Sequence, residues 1–464
     1  MTRQESGNNK FSAYYIPRSE RYEVGKQMRK NCPRSSHAKW KFVGSRPDPV
    51  DLIIESNKDR IPKLVPLRHG RMGRSPFTFY RGAALNMASD LAGTPVSGMK
   101  VQACGDAHLC NFGAFATPER NVIFSINDLD ETLPAPWEWD VKRLAASFII
   151  ACRNNNLNDS IAREAVLECV RSYRENMMTF SEMRIMELWH YSLGPDQLIS
   201  KLKDPELRRR GWKRLEKEKA RSIAEEIFPQ IAKGAGNSRF IKDQLPSIFH
   251  WEGHAPGEVV QEVKDVFELY KESLPPGFNH LLNRYELKDV AIKVVGVGSV
   301  GTACWVALFM TGDGDPLFIQ VKEARKSVLE AYAGKSIYPN NGQRIVYGYR
   351  LMQPFSDPFL GWSVGKLGRH YFFRQLRDIK ISMKVETFGK AEMTGFADWC
   401  GKALALSHAR SGDAAMLSGY MGRSDTFDQA IAEFSFAYAI QNEKDHASFK
   451  KAIKSGRIEA EIEE

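Results

Sequence analysis

A short acidic region in the first third of the chain carries the residue types of a phosphoryl-transfer site. The segment GDAHLCN at residues 105–111 is followed by NDLDE at residues 127–131. Phosphoryl transfer needs a carboxylate that orients and deprotonates the attacking hydroxyl. It also needs an amide oxygen and a second carboxylate that hold Mg²⁺ on the nucleotide phosphates. Asp106 fits the first role, and Asn111 and Asp128 fit the second.

The same acidic residues also have structural interpretations. Asp106 can cap backbone N–H groups within its own turn. A rival catalytic interpretation is a two-metal phosphoesterase, which a Gly-Asp-x-His segment also suits, but the further ligands of such a site are absent downstream. Asp128 and Asp130 lie two positions apart, so they share one face or hold one ion between them. The two motifs place four acidic residues within 26 positions without a neutralising run of Lys or Arg, which favours a bound cation. The predicted metal ligands are Asn111, Asp128 and Asp130.

A glycine-rich segment, GVGSVG at residues 296–301, lies far downstream of the acidic region. In a dinucleotide-binding fold such glycines open a helix, and an acidic residue follows about twenty positions later. Here residues 302–309 are rich in β-branched and aromatic side chains, and the corresponding later residue is Lys322. A glycine-rich hairpin over phosphates with a lysine on a nearby strand is the arrangement of protein kinases. A dinucleotide site and a purely structural hairpin remain alternatives. The predicted nucleotide-binding residues are Gly296, Gly298, Ser299, Gly301 and Lys322.

Lys322 has both a catalytic and a structural interpretation. A lysine on an edge strand is common because it opposes aggregation, but the glycine-rich segment favours a phosphate-binding lysine. Kinase-like sites pair this lysine with a glutamate on the following helix, and Glu330, eight residues on, is the candidate. Glu323 is adjacent but points to the opposite face of the strand. The predicted catalytic residues are Asp106, Lys322 and Glu330.

The composition predicts a cytoplasmic protein of two or three compact units. The 464 residues are 43% hydrophobic, and the net charge of +10 suits an anionic substrate. Nucleic acid is a disfavoured partner, because no finger, homeodomain-like or RNA-recognition motif is present. The seven cysteines are scattered without a C-x-x-C pair, which predicts reduced thiols. The uncharged residues 294–312 contain four glycines, so they predict a strand–loop–strand unit and no membrane span.

Predicted strands position the candidate residues. A strand at 99–103 precedes Asp106, and another at 122–126 precedes Asp128. Residues 157–285 are mostly helical in pattern. Further predicted strands cover 290–295, 303–310, 317–322 and 371–376, and helices begin near residues 141, 327 and 391.

Eight motifs of the chain resemble those of a bacterial family known only as an uncharacterised conserved domain. The resemblance covers roughly residues 50–415 and is specific, although family membership alone implies no activity. The motifs are SPFTFYRGAA (75–84), GDAHLCNFG (105–113), NDLDE (127–131), PWEWDVKRLAAS (136–147), VVGVGSVGT (294–302), FIQVKEA (318–324), RQLRDIK (374–380) and HARSGD (408–413).

A more remote similarity links GDAHLCNFG, SINDLDE and PWEWDVKRLA to aminoglycoside-phosphotransferase-like and protein-kinase-like enzymes. It implies that Asp106 is the catalytic base and that Asn111 and Asp128 are magnesium ligands. It also implies that Asp140 braces the loop from the start of a helix. The chain departs from the pattern in two details, since Cys104 stands where that superfamily often has His and Asp-Leu-Asp replaces the usual Asp-Phe-Gly.

The order of the motifs is reversed relative to those enzymes. The glycine-rich segment and Lys322 follow the catalytic segment instead of preceding it. The helix at 399–409 resembles the one that leads into the catalytic loop, yet it lies near the C-terminus. One circular permutation explains both displacements, and permutation is tolerated when chain ends lie close together at the surface.

The sequence therefore predicts an α+β, protein-kinase-like bilobal fold, circularly permuted, with a helical insertion. ATP and Mg²⁺ are the predicted cofactors, bound between the lobes, and the phosphoryl acceptor is an unidentified small molecule or protein. Nucleotidyl (AMP) transfer and non-catalytic nucleotide binding remain alternatives. Arg374 and Arg377 are further candidates for hinge or substrate contacts. The predicted parts are a basic N-terminal extension (1–48), the catalytic-loop segment of the large lobe (49–155), a helical insertion (156–285), a β-rich small lobe with the glycine loop (286–385) and C-terminal helices of the large lobe (386–464).

Overall fold

The chain forms a mixed α+β structure with several antiparallel sheets, which confirms the predicted fold class at that level. The structure is a computed structural model. The residues that it describes are 15–40, 45–202, 204–219, 228–234, 239–245, 247–250, 256–294, 296–298, 300–365, 368–376 and 380–461.

Helices dominate the described residues. The α-helices are α1 (Arg18–Met28), α2 (Pro49–Ser56), α3 (Val65–Gly73), α4 (Pro76–Gly82), α5 (Ala84–Leu91), α6 (Trp137–Asn154), α7 (Asp159–Glu182), α8 (Ile185–His190), α9 (Pro195–Ser200), α10 (Pro205–Lys219), α11 (Phe228–Ile231), α12 (Pro256–Ser273), α13 (Pro276–Leu282), α14 (Glu330–Ala333), α15 (Asn341–Met352), α16 (Lys390–Ser411), α17 (Ala414–Met421) and α18 (Thr426–Lys454). The strands are β1 (Lys100–Ala103), β2 (Phe112–Ala116), β3 (Val122–Ile126), β4 (Leu133–Pro136), β5 (Ala232–Lys233), β6 (Phe240–Ile241), β7 (Ile248–Phe249), β8 (Glu286–Lys293), β9 (Cys304–Met310), β10 (Pro316–Glu323), β11 (Gly361–Val364), β12 (His370–Gln375) and β13 (Lys380–Ser382).

The largest sheet has six antiparallel strands in the order β11-β12-β10-β9-β8-β7. Its β-branched and aromatic residues suit a pleated, half-buried surface, and one face packs on α12 through the stacked rings of Tyr270 and Phe373. β10 is an interior strand, so Lys322 lies opposite Cys304 on one neighbour and Phe372 on the other. The edge-strand interpretation of Lys322 is therefore wrong. The glycine-rich segment joins β8 to β9, as predicted.

Two smaller sheets position the acidic loops. β1 pairs with β4, and β2 lies between β13 and β3. β1 ends at Ala103, which pairs with Leu133 at the start of β4. The loop at 104–111, which follows β1, and the loop at 127–132, which precedes β4, therefore lie at the same end of this strand pair. The Thr132 hydroxyl donates a hydrogen bond to the Ala103 carbonyl (2.7 Å) and ties the two loops together.

Long helices form the main hydrophobic core, in which α6, α7, α16 and α18 pack against one another. The predicted insertion at 156–285 contains α7, which packs on α16 in this core. It also contains β7, which joins the six-stranded sheet beside β8. This stretch therefore contributes both to the helical core and to the six-stranded sheet.

The crossing of α7 and α16 depends on a glycine. A Cβ at Gly401 would lie 2.2 Å from the carbonyl oxygen of Cys169, which is backbone and cannot move aside. We expect Gly401→Ala to lower the free energy of unfolding by about 1–3 kcal/mol, the usual penalty for overpacking a core. Gly395→Ala on the same helix is the matched control, because its nearest neighbour is the flexible end of the Leu202 side chain.

Urea denaturation checks the Gly401 prediction. The control is expected to be neutral or stabilised by up to about 1 kcal/mol, since alanine is the better helix former. Equal midpoints for Gly401→Ala and Gly395→Ala would contradict the close approach of the two helices.

Part of the predicted N-terminal extension is a structured element of the core. α1 packs on α17, where a Cβ at Gly25 would lie 1.9 Å from the carbonyl oxygen of Met416. Arg29 donates a hydrogen bond to the Tyr420 carbonyl (2.8 Å). The sequence pattern did not predict this helix, because its contacts are made by small and charged residues. Residues 1–14 and 41–44 of the predicted extension lie outside the described residues.

Membrane-spanning helices and disulfide bonds are absent from the described part of the chain. No helix there is long and apolar enough to cross a membrane. All seven cysteines belong to the described residues and are free thiols, six of them buried.

Candidate active site

Asp140, in the first turn of α6, fixes the backbone of the loop that follows β1. Its carboxylate accepts hydrogen bonds from the N–H groups of Cys104 (2.6 Å) and Gly105 (3.0 Å), which is the bracing role that the resemblance implied. Gly105 has a φ of +84°, and a Cβ there would lie 2.4 Å from the Glu131 carbonyl oxygen. Glycine alone suits both conditions, so the loop passes directly beside the acidic run at 127–131.

Asp106 is held by a buried arginine. Arg143 donates to Asp106 Oδ1 from Nε (2.6 Å) and lies 2.5 Å away through Nη2, while its guanidinium stacks 4.5 Å from the Tyr80 ring centroid. Asp106 Oδ2 lies 3.8 Å from His108 Nε2. One carboxylate oxygen is therefore fixed in position by Arg143, and Asp106 lines the cleft described below.

Asn111 is placed beside Asp106 by its own hydrogen bonds. Its side-chain N–H donates to the backbone carbonyl of Asp106 (2.8 Å), and its backbone carbonyl accepts from the Asn127 N–H (2.7 Å). The side-chain oxygen of Asn111 is left for a ligand. The three predicted oxygen donors, Asn111, Asp128 and Asp130, line one cleft.

Lys322 joins the two distant sequence blocks. Its ammonium lies 2.5 Å from Asp130 Oδ2 and 3.5 Å from Asp128 Oδ2, although about 190 positions separate these residues along the chain. Only 2% of Lys322 is exposed, and its ammonium lies 5.4 Å from the Phe372 ring centroid. The Asp128 and Asp130 side chains stay 31% and 25% exposed, so the ion pair is partly desolvated and is less screened than a surface pair. The fold therefore brings β10 and the loop after β3 to a single point.

The charges of this cluster shift one another's pKa values. Burial raises the pKa of Asp130 to about 7, and the neighbouring charge of Asp128 acts in the same direction. Burial acts to raise the pKa of Asp128, but Lys322, Asp130 and Arg374 together outweigh burial and lower it. The pKa of Lys322 is raised by both carboxylates against burial. At neutral pH the cluster thus holds a charged lysine and a charged Asp128.

Glu330 does not pair with Lys322, so that part of the prediction is wrong. Glu330 stands at the start of the short helix α14, and its carboxylate accepts a hydrogen bond from the backbone N–H of Ser327 (3.4 Å). The ion-pair partners of Lys322 among the described residues are the two aspartates instead. Glu323 lines the cleft and accepts from the Ala303 N–H (3.1 Å).

The glycine loop lies against the N-terminal helices. The Ile61 N–H donates to the Gly301 carbonyl (2.7 Å), and Arg71 donates to the Gly296 carbonyl (2.9 Å). Gly298 lines the cleft. Ser299, a predicted nucleotide-binding residue, lies outside the described residues. Of the predicted glycines, Gly298 thus lines the same cleft as the acidic cluster.

The cleft has a cavity volume of about 130 Å³ and is lined by both acidic and basic side chains. Its acidic lining includes Asp106, Asp128 and Asp130. Its basic lining includes cations that the sequence did not point to, namely Arg60, Arg68, Arg81 and Arg325. Two of these had a usable signal, because Arg81 belongs to the motif at 75–84 and Arg325 directly follows the one at 318–324. The other two are recognisable only in the folded chain.

Arg374, a predicted hinge or substrate residue, lies behind the lysine–carboxylate cluster. It donates to the Tyr349 hydroxyl (2.9 Å), to the Asn127 carbonyl (3.2 Å) and to Gln320 Oε1 (2.9 Å). These contacts join β12 to the acidic loop. Arg377 lies outside the described residues.

A preformed multidentate metal cage is absent from the described residues, where no group of three or more His, Cys, Asp or Glu side chains is arranged to hold an ion. The local oxygen donors are two carboxylates and one amide. This donor set suits Mg²⁺, which binds through one or two carboxylates and takes its remaining ligands from phosphates and water.

These features define a mixed α+β protein with a buried lysine–carboxylate cluster in a cleft between a β-rich part and a helical part. A family model described as "Uncharacterized protein conserved in bacteria (DUF2252)" matches residues 60–452, and the chain belongs to that family. Neither the curated proteins nor the solved structures contain a match.

Proposed function

We propose that the chain is a kinase-like, Mg-ATP-dependent phosphotransferase. The observation that carries the proposal is the ion pairing of Lys322 with Asp128 and Asp130 in the cleft that Asp106 and Asn111 also line. A strand-borne lysine, a loop carboxylate for the metal, an amide and a candidate base are the parts that phosphoryl transfer requires.

The element order supports a circularly permuted kinase-like fold. β8, the glycine loop, β9, β10 and α15 follow one another as in the small lobe of a kinase. The end of α16 lies beside the start of the catalytic segment, since the Gln102 N–H donates to the Ser411 hydroxyl (3.2 Å). A chain that ran directly from α16 into β1 would restore the usual order.

Magnesium fits the residues present. Asp130 Oδ1 is buried without a hydrogen-bond partner, and an unsatisfied carboxylate oxygen is costly unless it gains a ligand. Asn111, Asp128 and Asp130 would hold the ion. When bound, Mg²⁺ neutralises charge on the nucleotide phosphates.

The chain's own residues divide the remaining work. Arg143 fixes Asp106 Oδ1, so Oδ2 is available to accept the proton of an acceptor hydroxyl. Lys322 supplies a positive charge for the phosphates, and the glycine loop allows close backbone approach. Asp140 holds the backbone of the catalytic loop at Cys104 and Gly105, beside the acidic run at 127–131.

Transfer of a label tests this proposal. The protein is incubated with Mg²⁺ and ATP labelled at either the γ- or the α-phosphate, in the presence of a small-molecule extract. We expect only the γ-label to reach an acceptor or water. Appearance of the α-label on an acceptor would instead identify nucleotidyl transfer. Asp128→Asn is the matched inactive variant, because it keeps the shape of the side chain and removes its charge.

Thermal unfolding provides a second readout. Mg-ATP at 100 times its Kd is expected to stabilise the wild type by about 2.7 kcal/mol, with a smaller effect on Asp128→Asn. A wild type with neither a thermal shift nor label transfer would falsify the proposal.

A further inference from the structure

The basic lining of the cleft is formed mainly by arginines of the N-terminal helices. Arg68 lies on α3 and Arg81 on α4, while Arg60 lies between α2 and α3. Arg325 follows β10 and adjoins them, donating to the Ser56 carbonyl (3.1 Å). We call these four residues the arginine wall. All four line the cleft.

Arg68 is the most deeply buried member of the wall, with 1% of its surface exposed. It donates to Asn57 Oδ1 (2.6 Å) and to the Gly82 carbonyl (2.8 Å). Its Nε is buried without a partner, and so is the Nε of Arg81. In the part of the chain that the structure describes, no carboxylate lies within ion-pair distance of Arg68. The neutral oxygens around it leave its charge uncompensated.

An uncompensated buried guanidinium destabilises a fold by several kcal/mol. Neighbouring cations make the situation worse, because Arg60 and Arg325 repel Arg68 and lower its pKa together with burial. Glu131 and Glu323 partly offset the charge of Arg60. With Lys326 the lining of the cleft holds five cations against these two carboxylates. This excess of positive charge suits an anion such as a phosphate monoester, which carries about two negative charges.

The arginine wall adjoins Asp106. The Tyr80 carbonyl accepts a hydrogen bond from Arg143 Nη2 (3.1 Å), and Arg143 in turn holds Asp106. Arg81 is the next residue after Tyr80, and its charge lowers the pKa of His108 in the catalytic loop. Lys322 lies with the acidic cluster instead. The anion subsite is thus next to the group that would activate the acceptor.

We propose that the phosphoryl acceptor is a hydroxyl compound that already carries a phosphate group, and that the arginine wall binds this phosphate. This proposal rests on the proposed function. In the transfer step a bond forms between the acceptor oxygen and the γ-phosphorus, and the bond from that phosphorus to the ADP oxygen breaks. The hydroxyl proton passes to Asp106. Arginine suits this role because its planar fork binds phosphate through two parallel hydrogen bonds.

Inorganic phosphate is the probe for the acceptor subsite. It is titrated into the full chain by calorimetry with saturating Mg²⁺ and a non-hydrolysable ATP analogue. We expect wild type to bind phosphate beside the analogue with about millimolar or better affinity. Arg68→Gln and Arg81→Gln should each weaken phosphate binding at least about tenfold, a change of about 1.4 kcal/mol. Neither variant should change the affinity for the analogue.

Controls keep the result interpretable if Arg68→Gln fails to fold. Arg81→Gln removes a less buried member of the wall, and Arg209→Gln removes a surface arginine paired with Glu206 (2.7 Å). The surface variant should bind phosphate like wild type. Unchanged phosphate affinity in a folded Arg81→Gln would overturn the proposal.

Competition distinguishes the two possible sources of the bound phosphate. If the analogue displaces inorganic phosphate, the wall holds the nucleotide's own phosphates, and the acceptor proposal is wrong while the phosphotransferase proposal stands. If phosphate does not bind in the presence of bound analogue, the acceptor proposal is also wrong. If the analogue itself does not bind, the proposed function fails and the acceptor proposal fails with it.

Discussion

Asp106→Asn is expected to slow phosphoryl transfer by about 10²–10⁴-fold, the usual contribution of a general base. The asparagine keeps the shape of the side chain and its distance from Arg143, but it cannot accept the acceptor's proton. Affinity for Mg-ATP is expected to stay unchanged, because Asp106 is not among the proposed metal ligands. Single-turnover transfer of the γ-label measures the rate, and calorimetry measures nucleotide binding.

Stability must be separated from chemistry in this variant. Removing the Asp106 charge leaves Arg143 without its ion-pair partner in a buried position, so the melting temperature will fall. Rates are therefore compared at a temperature where both proteins are folded. Asp159→Asn is the matched control, since it breaks an Asp–Arg pair with Arg153 at the surface (3.0 Å), where such pairs contribute about 0–1 kcal/mol. Full activity in folded Asp106→Asn would exclude Asp106 as the base.

Lys322→Met is expected to abolish transfer and to destabilise the fold by about 3–5 kcal/mol at pH 8, the cost of breaking a buried ion pair. The substitution leaves Asp128 and Asp130 beside each other, with Arg374 behind the cluster as the remaining nearby cation. Both carboxyl groups then have higher pKa values in the folded variant than in the unfolded chain. The unfolded chain therefore binds fewer protons at neutral pH than the folded variant does. The lost stability is therefore recovered as pH falls through these raised pKa values. Urea denaturation between pH 8 and pH 5 measures the difference from wild type.

Magnesium gives an independent check on Lys322→Met. Because the variant keeps both carboxylates and loses the neighbouring cation, Mg²⁺ alone should stabilise it more than it stabilises wild type. Lys26→Met is the control, as it removes an exposed lysine paired with Glu23 (3.2 Å). A Lys322→Met protein with wild-type stability at pH 8 and no response to Mg²⁺ would show that the three charges do not interact.

The N-terminal helices supply most of the basic lining of the cleft. Contacts from Ile61 and Arg71 hold the glycine loop from outside the six-stranded sheet. The segment at 60–82 thus supplies three residues of the arginine wall, contacts the glycine loop and, through the bond from Arg143 to the Tyr80 carbonyl, is linked to Asp106. A bound anion would touch the same segment, which links acceptor binding to the position of the glycine loop.

The local placement of the candidate residues was predictable from the sequence. Asp106, Asn111 and Asp128 follow short apolar strands within one segment, and strand periodicity is a local property of the chain. The strand that carries Lys322 and the hairpin around the glycine loop follow from the same pattern. The role of Asp140 was accessible through a resemblance, because the motif retains its spacing.

Tertiary structure alone decided which distant groups meet. Lys322 and Glu330 are close in sequence, yet the Glu330 carboxylate accepts a hydrogen bond from the Ser327 N–H at the start of the short helix α14. The ion-pair partners of Lys322 come instead from the other sequence block. In the sequence Arg68 cannot be distinguished from a surface arginine, and only the packing of α3 buries it. Ion pairing and burial are set by packing between elements far apart along the chain, and sequence periodicity carries no record of that packing.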